Sequence, residues 1–522
     1  MPKPTYFITT AIPYASQKPH IGNCYDHVAA DLYARWMRMR GFDVCYLAGT
    51  DEHGQKIETL ATQAGISPKA YADNITGIIK QVLSSLNISF DKFIRTTDDI
   101  HESAVSAIFQ ALYDRGDIYK SEYEGLYCTP CESFWTESQL ADGNCPDCKR
   151  EVVAGREEAY FLRLSKYGDW LMQYYKDHPE FIVPQSRMNE MINTFLKPGL
   201  QDLCVTRKSF QWGVPVPFDP EHVIYVWIDA LSNYITALGF NAGENHDDYR
   251  KYWPADLQVI GKDICRFHTI TWPIMLHALG QPLPKRVFAH PWLMFGQDKM
   301  SKSLGNVIYA DELAETIGAD ATRYFMLAEM PLAVDGSITR EAVIERYNGD
   351  LANVLGNLVN RTLAMTNKYF DGVVPAMGSL TSLESELQAF ALQSVKDFQV
   401  ALDECRVANA MEIALNLAKR SNKYIDETAP WALAKDEAQR KYLGTVLYHL
   451  LECIRFLAAL FAPAMPDAAR SICLQLQPGC DADEMLTNIW ATLERFGGLE
   501  PGTQVTDKPQ ALFARLDGDA IL

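Results

Sequence analysis

The sequence predicts an α/β protein: a doubly wound parallel sheet, interrupted by a small cysteine-bearing insertion and followed by an all-α region. Three observations carry that expectation. Strand-like runs at 6–12, 43–48 and 257–263 end in small or polar residues and pass into helical periodicity, the βα alternation of an open parallel sheet. Two closely spaced cysteine pairs lie between the second and third runs, and from about residue 346 the pattern is almost entirely helical. Divided accordingly, 1–117 and 221–290 are the two halves of the sheet domain, 118–220 the insertion, 291–345 a linking region and 346–522 a helical domain.

Composition is that of a folded protein with several cores: 522 residues, 48% hydrophobic and 22% charged, with no low-complexity tract or internal repeat. The N-terminus carries neither an apolar signal core nor an Arg/Ser-rich transit pattern, and no apolar run reaches membrane-spanning length. Twelve cysteines without a secretory signal point to reduced thiols and a cytoplasmic setting. The formal net charge of −18 means that any nucleic-acid contact must rest on local basic patches. Arg35, Arg38 and Arg40, and Lys419, Arg420 and Lys423, are candidates, or simply solvated helix faces.

Taken in order, the first run is β-branched and aromatic, Pro13 ends it, and the residues after Gly22 place Val28, Leu32, Trp36 and Met39 at helical spacing. A helix N-terminus offers unpaired N–H donors, so His20 and Gly22 suit a bound phosphate; an ordinary βα unit with a capping His20 is the alternative. The second run ends in 49–54, Gly-Thr-Asp-Glu-His-Gly, where polar groups gather at a strand's carboxyl end. Asp51 there is a ligand-facing carboxylate or the N-cap of the helix that follows. Helices are expected near 68–86 and 101–116.

Cys128 and Cys131, then thirteen residues, then Cys145 and Cys148 present four thiolates with the spacing of a tetrahedral Zn²⁺ knuckle. Four thiolates leave no open position for water, so the zinc is structural. The remaining eight cysteines are expected to be small buried hydrophobes. Residues 223–228 read as a strand resuming the βα pattern, followed by a helix carrying Asp229, Ala230, Tyr234 and Ile235. The run 257–263 is another strand, ending in Gly261-Lys262-Asp263, with Phe267, His268 and Trp272 on the next helix.

Lys299-Met300-Ser301-Lys302-Ser303 is bracketed by Gly296 and Gly305 like the hinges of a mobile loop. Two ammonium groups three residues apart can embrace a polyphosphate, although a Lys/Ser loop is more often merely solvated. Pro19-His20-Ile21-Gly22-Asn23 and Lys299-Met300-Ser301-Lys302-Ser303, in this order and close to 280 residues apart, resemble the paired signatures of class I aminoacyl-tRNA synthetases. Asn23 departs from that pattern, which has a second His; an amide can donate to a phosphate oxygen but carries no charge.

Further blocks narrow the resemblance to the methionine-specific branch: Ala11-Ile12-Pro13-Tyr14, residues 49–54, Tyr225-Val226-Trp227-Ile228-Asp229-Ala230, Gly261-Lys262-Asp263-Ile264, the set Asn353, Asn357, Arg361, and Ala429-Pro430-Trp431. It spans roughly the first 430 residues. The resemblance implies a Rossmann-like catalytic domain split by a zinc-binding connective insertion, and a helical anticodon-binding bundle. It implies a methionine pocket of Ile12, Tyr14, Trp227, Ala230, Tyr234, Ile264 and His268, apolar and aromatic as a thioether requires, with Asp51 holding the substrate ammonium. Without it, Trp227 and Tyr234 read as core. Leu231 replaces the Pro of some relatives.

ATP is expected on His20, Gly22, Asn23, Gly261, Asp263, Lys299, Ser301 and Lys302, with Asp263 on the ribose and Mg²⁺ on the phosphates. The substrate carboxylate is itself the nucleophile, so catalysis by His20, Asn23, Lys299 and Lys302 is positioning and charge stabilisation. The methionyl group of the adenylate is then expected to pass to the terminal 2′-hydroxyl of tRNA(Met), the initiator included, with AMP leaving. No large editing insertion is evident, and a rival shorter by a methyl differs by only roughly 1–3 kcal/mol in an apolar pocket.

Asn353, Asn357 and Arg361 recur every four residues along one helix face, beside a face of Leu351, Leu355, Leu358 and Thr362 that can bury. By pattern alone the first is a solvated stripe. The resemblance makes it, with Pro430 and Trp431, the anticodon reader. No appended oligonucleotide-binding domain is discerned, and a monomer is expected. A class I ligase for another amino acid and a non-catalytic tRNA-binding relative are the competing readings. The compact insertion and aromatic pocket speak against the leucine, isoleucine and valine enzymes, and intact His20, Lys299 and Lys302 against the second reading.

Overall fold

A computed structural model describes residues 3–129, 133–135, 140–146, 148–295 and 307–516. Its organising element is a six-stranded, all-parallel sheet in the spatial order Lys92–Arg95, Asp43–Thr50, Thr5–Thr10, Leu257–Gly261, Val287–His290, Ile182–Val183. Thr5 pairs with Asp43 on one side of the first strand and Ile8 with Leu257 on the other. The winding direction therefore reverses at the carboxyl ends of Thr5–Thr10 and Leu257–Gly261, which opens a crevice between them.

Both faces of the sheet are covered, so its strands are apolar on both sides. Ile8, Val44, Tyr46 and Ala48 join one core with Val28 and Leu32 of the helix Tyr25–Met39. Phe7, Cys45, Leu47 and Ile94 join a second core with Val105, Ile108 and Phe109 of the helix Asp99–Asp114. The first core continues without a break through Leu313 and Tyr324 into Leu355, Leu387, Leu415 and Leu447 of the helical region. A fully buried guanidinium marks the junction: Arg323 pairs with Asp31 at 2.7 Å and donates to the carbonyls of Leu86, Pro463 and Ala464.

The structure corrects the expected elements in three places. Residues 223–228 are not one strand: Asp219–Ile224 pairs antiparallel with Thr206–Arg207 and Pro215–Val216 in a separate small sheet, and the helix begins at Val226. The β-branched run misled because Val226 and Ile228 bury equally well on a helix face. The run 257–263 ends its strand at Gly261, and Lys262–Ile264 forms a tight turn. The run 6–12 ends its strand at Thr10. The segment 118–220 has two parts. Its first part, with Leu203–Cys204, is a four-stranded antiparallel sheet, but Ile182–Val183 pairs with Val287 and Phe288 at the edge of the main sheet. Two residues are too few to show as periodicity.

The helices near 68–86 and 101–116 are present as Pro68–Ser85 and Asp99–Asp114. In the linking region Leu293–Phe295 pairs with Gly336–Ile338, and helices Ala310–Ile317 and Ala319–Glu329 lead to the bundle. Leu351, Leu355, Leu358 and Thr362 are buried, while Asn353 and Asn357 are exposed and Arg361 is half-buried, 3.7 Å from Asp426. This stretch opens into a π-helix over Tyr347–Gly356 before resuming α geometry. Pro430 is buried at a helix start and Trp431 is exposed. The apolar helix Glu437–Phe461 is long enough to cross a membrane by composition, yet it is buried inside the bundle.

Candidate active site

The crevice holds a cavity of about 520 Å³. Ile12, Tyr14, Asp51, Trp227, Ala230, Tyr234, Ile264 and His268 all line it, as do His20, Gly22, Asn23, Gly261 and Asp263. These residues come from segments as distant as 12 and 268 and meet because each follows or flanks a strand's carboxyl end. Lys299, Ser301 and Lys302 lie outside the described residues, as does Cys131. The structure adds wall residues that sequence reasoning missed, chiefly Asp26, His290 and Trp292, and it includes Leu231.

One wall is aromatic. Trp227 stacks on Phe267 at 3.9 Å with the rings 6° from parallel, and His268 stands edge-on to it. The helix carrying these last two opens into a π turn at Phe267–Thr271, where His268 is buried. Its Nδ1 lies 3.0 Å from the Ile264 carbonyl, which can only accept, so Nδ1 carries the proton and Nε2 accepts from the Tyr234 hydroxyl at 2.7 Å. Burial holds this imidazole down to about 4, so it is neutral and suits an apolar guest.

Part of the lining is polar. Asp51 is not a helix cap, since Gly54 precedes the helix Gln55–Ala64; it bridges to Tyr14 through the backbone. The next residue, Glu52, turns away into a buried network. It accepts from Thr50, Thr76, Thr97 and Arg95 at 2.5–2.8 Å. Burial alone would raise its carboxyl, but these donors hold it below the ordinary range. The loop presenting Asp51 is thereby anchored from behind.

At the turn before the helix Tyr25–Met39, the N–H of His20 donates to the Asn23 amide oxygen at 3.2 Å, so that bond does not use the Asn23 NH₂ group. A Cβ at Gly22 would come within 3.1 Å of the His20 ring, so glycine lets that ring lie over the turn. Gly261 serves Asp263 in the same way: a Cβ there would fall 2.6 Å from its carboxylate. Asp263 accepts from the Trp292 indole at 3.2 Å, and His290 lies 3.5 Å from Asp26. Asp26, Asp51 and Asp263 are the charged groups of the described lining, which includes no Lys or Arg. A polyphosphate here needs cations from elsewhere.

In the antiparallel module, the sulfurs of Cys128, Cys145 and Cys148 lie within 4.8 Å of one another, with Cys128 and Cys148 at 3.4 Å, beside the buried Trp135. Three converging thiols in an apolar nest fit a thiophilic ion such as zinc. Of the other eight cysteines, seven are buried and Cys480 is half-buried.

Comparison with known proteins agrees with this geometry. Residues 6–157 and 151–363 match the model of class I tRNA synthetases (M), and residues 374–521 match that of the anticodon binding domain of methionyl tRNA ligase. The chain is 53% identical over 517 residues to the methionine–tRNA ligase of Clostridium perfringens and 54% over 515 residues to that of Caldanaerobacter subterraneus, covering 99% of this chain and 79% of each relative. The Mycobacterium tuberculosis methionyl-tRNA synthetase in complex with methionyl-adenylate superposes with a TM-score of 0.92 at 40% identity, over 98% of this chain and 100% of that one. Its free form gives 0.86 at 37% identity, over 99% of each chain. With both domains matched along nearly its whole length, the chain belongs to the methionine–tRNA ligases, the methionine-specific family of class I aminoacyl-tRNA synthetases.

Proposed function

We propose that this chain activates L-methionine with ATP and transfers it to the 3′-terminal ribose of tRNA(Met), initiator included, releasing pyrophosphate and then AMP. The observation that carries the proposal is one cavity whose lining joins a neutral apolar and aromatic set to Asp51, Gly22 and Asp263. Asp51 takes the substrate ammonium. Ile12, Tyr14, Trp227, Ala230, Tyr234, Ile264 and His268 enclose the thioether, and Asp263 holds the ribose. A methionine carboxylate oxygen attacks the α-phosphorus, and the bond from that phosphorus to the pyrophosphate oxygen breaks. His20 and the Asn23 amide stabilise the charge that develops, with Lys299, Ser301 and Lys302 of the neighbouring loop. Mg²⁺ enters as part of the ATP substrate.

The adenylate carbonyl is then attacked by the tRNA 2′-hydroxyl, with AMP as leaving group. Asn353, Asn357, Arg361, Pro430 and Trp431 read the anticodon, by hydrogen bonds to base edges and by stacking on the exposed indole. One Zn²⁺ bound by Cys128, Cys145 and Cys148, with Cys131 as fourth ligand, stabilises the antiparallel module and takes no part in the chemistry. The units are the catalytic halves 1–117 and 221–290, the connective segment 118–220, the loop and link 291–345 and the anticodon-binding domain 346–522, acting as a monomer in the cytoplasm.

Amino-acid-dependent exchange of pyrophosphate into ATP tests the proposal. Methionine supports exchange, and Lys302→Ala reduces it by at least about 100-fold. Exchange with cysteine but not methionine would refute the substrate, and an unaltered rate in Lys302→Ala would refute the assigned chemistry.

A further inference from the structure

Behind the methionine wall lies a buried charge relay that the reaction itself does not use. Asp229, 1% exposed, sits on the helix Val226–Thr236 between the lining residues Trp227 and Ala230. Its two oxygens accept from two buried histidines: His53 Nδ1 donates to Oδ2 at 2.7 Å and His101 Nε2 donates to Oδ1 at 2.8 Å. The far nitrogen of His101 meets Thr236 on the same helix at 2.7 Å, and His53 Nε2 faces the half-exposed Glu102 at 3.4 Å. Trp212 packs edge-on against the His53 ring at 5.3 Å and donates its indole N–H to the Glu52 carbonyl.

His53 stands two residues from Asp51. The bond it makes to Asp229 thus ties the loop that presents one end of the cavity to the helix that forms the other. An amino acid bound by its ammonium at Asp51 and by its side chain at Trp227, Ala230 and Tyr234 spans that tie. Burial opposes charge on His53, but Asp229 outweighs it and holds the imidazole protonated well above its ordinary range, while Asp229 is held below its own.

We propose that His53 is a positioning residue for the amino-acid substrate, and that its contact with Asp229 sets the distance between the ammonium site and the thioether site. The inference rests on the proposed function and deepens it. Effective positioning depends on sub-ångström placement, so loosening the tie weakens methionine binding without touching the ATP end. In the full chain, His53→Gln and Asp229→Asn raise KM for methionine about tenfold in pyrophosphate exchange, with KM for ATP and kcat within about twofold. Equilibrium methionine binding, followed by tryptophan fluorescence, weakens by the same factor. Glu102→Gln, at a half-exposed side chain and a longer contact, raises KM for methionine about twofold at an unchanged melting temperature.

A folded His53→Gln with unaltered KM for methionine, or one that loses kcat alone, overturns the inference. If both buried variants fail to fold, an unaltered KM in Glu102→Gln overturns it. A wild-type chain without methionine-dependent exchange instead removes the proposed function, and this inference falls with it.

Discussion

Asp320 offers a sharp test of how the helical region is joined to the sheet domain. It opens the helix Ala319–Glu329, and its Oδ2 accepts from the N–H of Ala468, near the start of the helix Pro466–Leu476, at 2.6 Å. Its Oδ1 is buried without a hydrogen-bond partner. Burial, with Asp467 adding to it, holds the carboxyl up to about 6 from 3.8. Because the folded value lies above the unfolded one, the stability Asp320 contributes is fully present below about pH 4 and is lost as pH rises through about 6. Between its neutral and charged forms that loss is worth roughly 3 kcal/mol.

Asp320→Asn keeps an acceptor for Ala468 and removes the charge, but it places an NH₂ group where Oδ1 has no partner, at a cost of about 1–2 kcal/mol. The variant is therefore more stable than wild type by about 1–2 kcal/mol at pH 8 and less stable by a similar amount at pH 4. Thermal unfolding followed by circular dichroism across that range reads the crossing as a few degrees in Tm of opposite sign. Hydrogen exchange at the Ala468 amide localises it. A stability difference independent of pH would show that the carboxylate is ionised at no cost and that the burial argument is wrong.

Other outcomes follow from the site. Tyr234→Phe leaves the buried Nε2 of His268 without its donor, costing about 1–3 kcal/mol in thermal or denaturant unfolding and raising KM for methionine. Burial holds His268 at about 4 against 6.5, so the stability it protects is intact above about pH 6.5 and falls as pH drops toward 4; His268→Gln flattens that slope in a pH series of melting curves. Cys148→Ser lowers the zinc content measured by metal analysis and loosens the module around Trp135, read as its fluorescence and protease sensitivity. Trp431→Ala, which removes an exposed stacking plane, raises KM for tRNA about tenfold in aminoacylation and leaves methionine-dependent exchange unaltered.

Much of this was readable in the chain because the informative residues are local. The first strand, although it stops at Thr10 and not at residue 12, the turn at His20 and Gly22, and the cysteine pairs each declare themselves within a dozen residues. The aromatic wall of the cavity was legible only through resemblance, since Trp227 and Tyr234 read as core in the sequence. What escaped is non-local. Asp26 is one acid in a helical first turn, His290 ends a short apolar strand and Trp292 lies just beyond it, with no motif of their own. They join the site only when parallel pairing brings Gly261 beside His290. Val226 and Ile228 were assigned to a strand because β-branching speaks louder in a short window than the helix they occupy.

The unbroken apolar interior from Ile8 to Val505 has a consequence for substrate size. A bundle hung on a tether could follow a tRNA of any length, whereas Tyr33 bonded to Leu402 and Trp36 set edge-on to Trp490 hold the helical region against the helix Tyr25–Met39. A nucleic acid held at Trp431 and at His20, as proposed above, meets a separation set by packing and not by a linker.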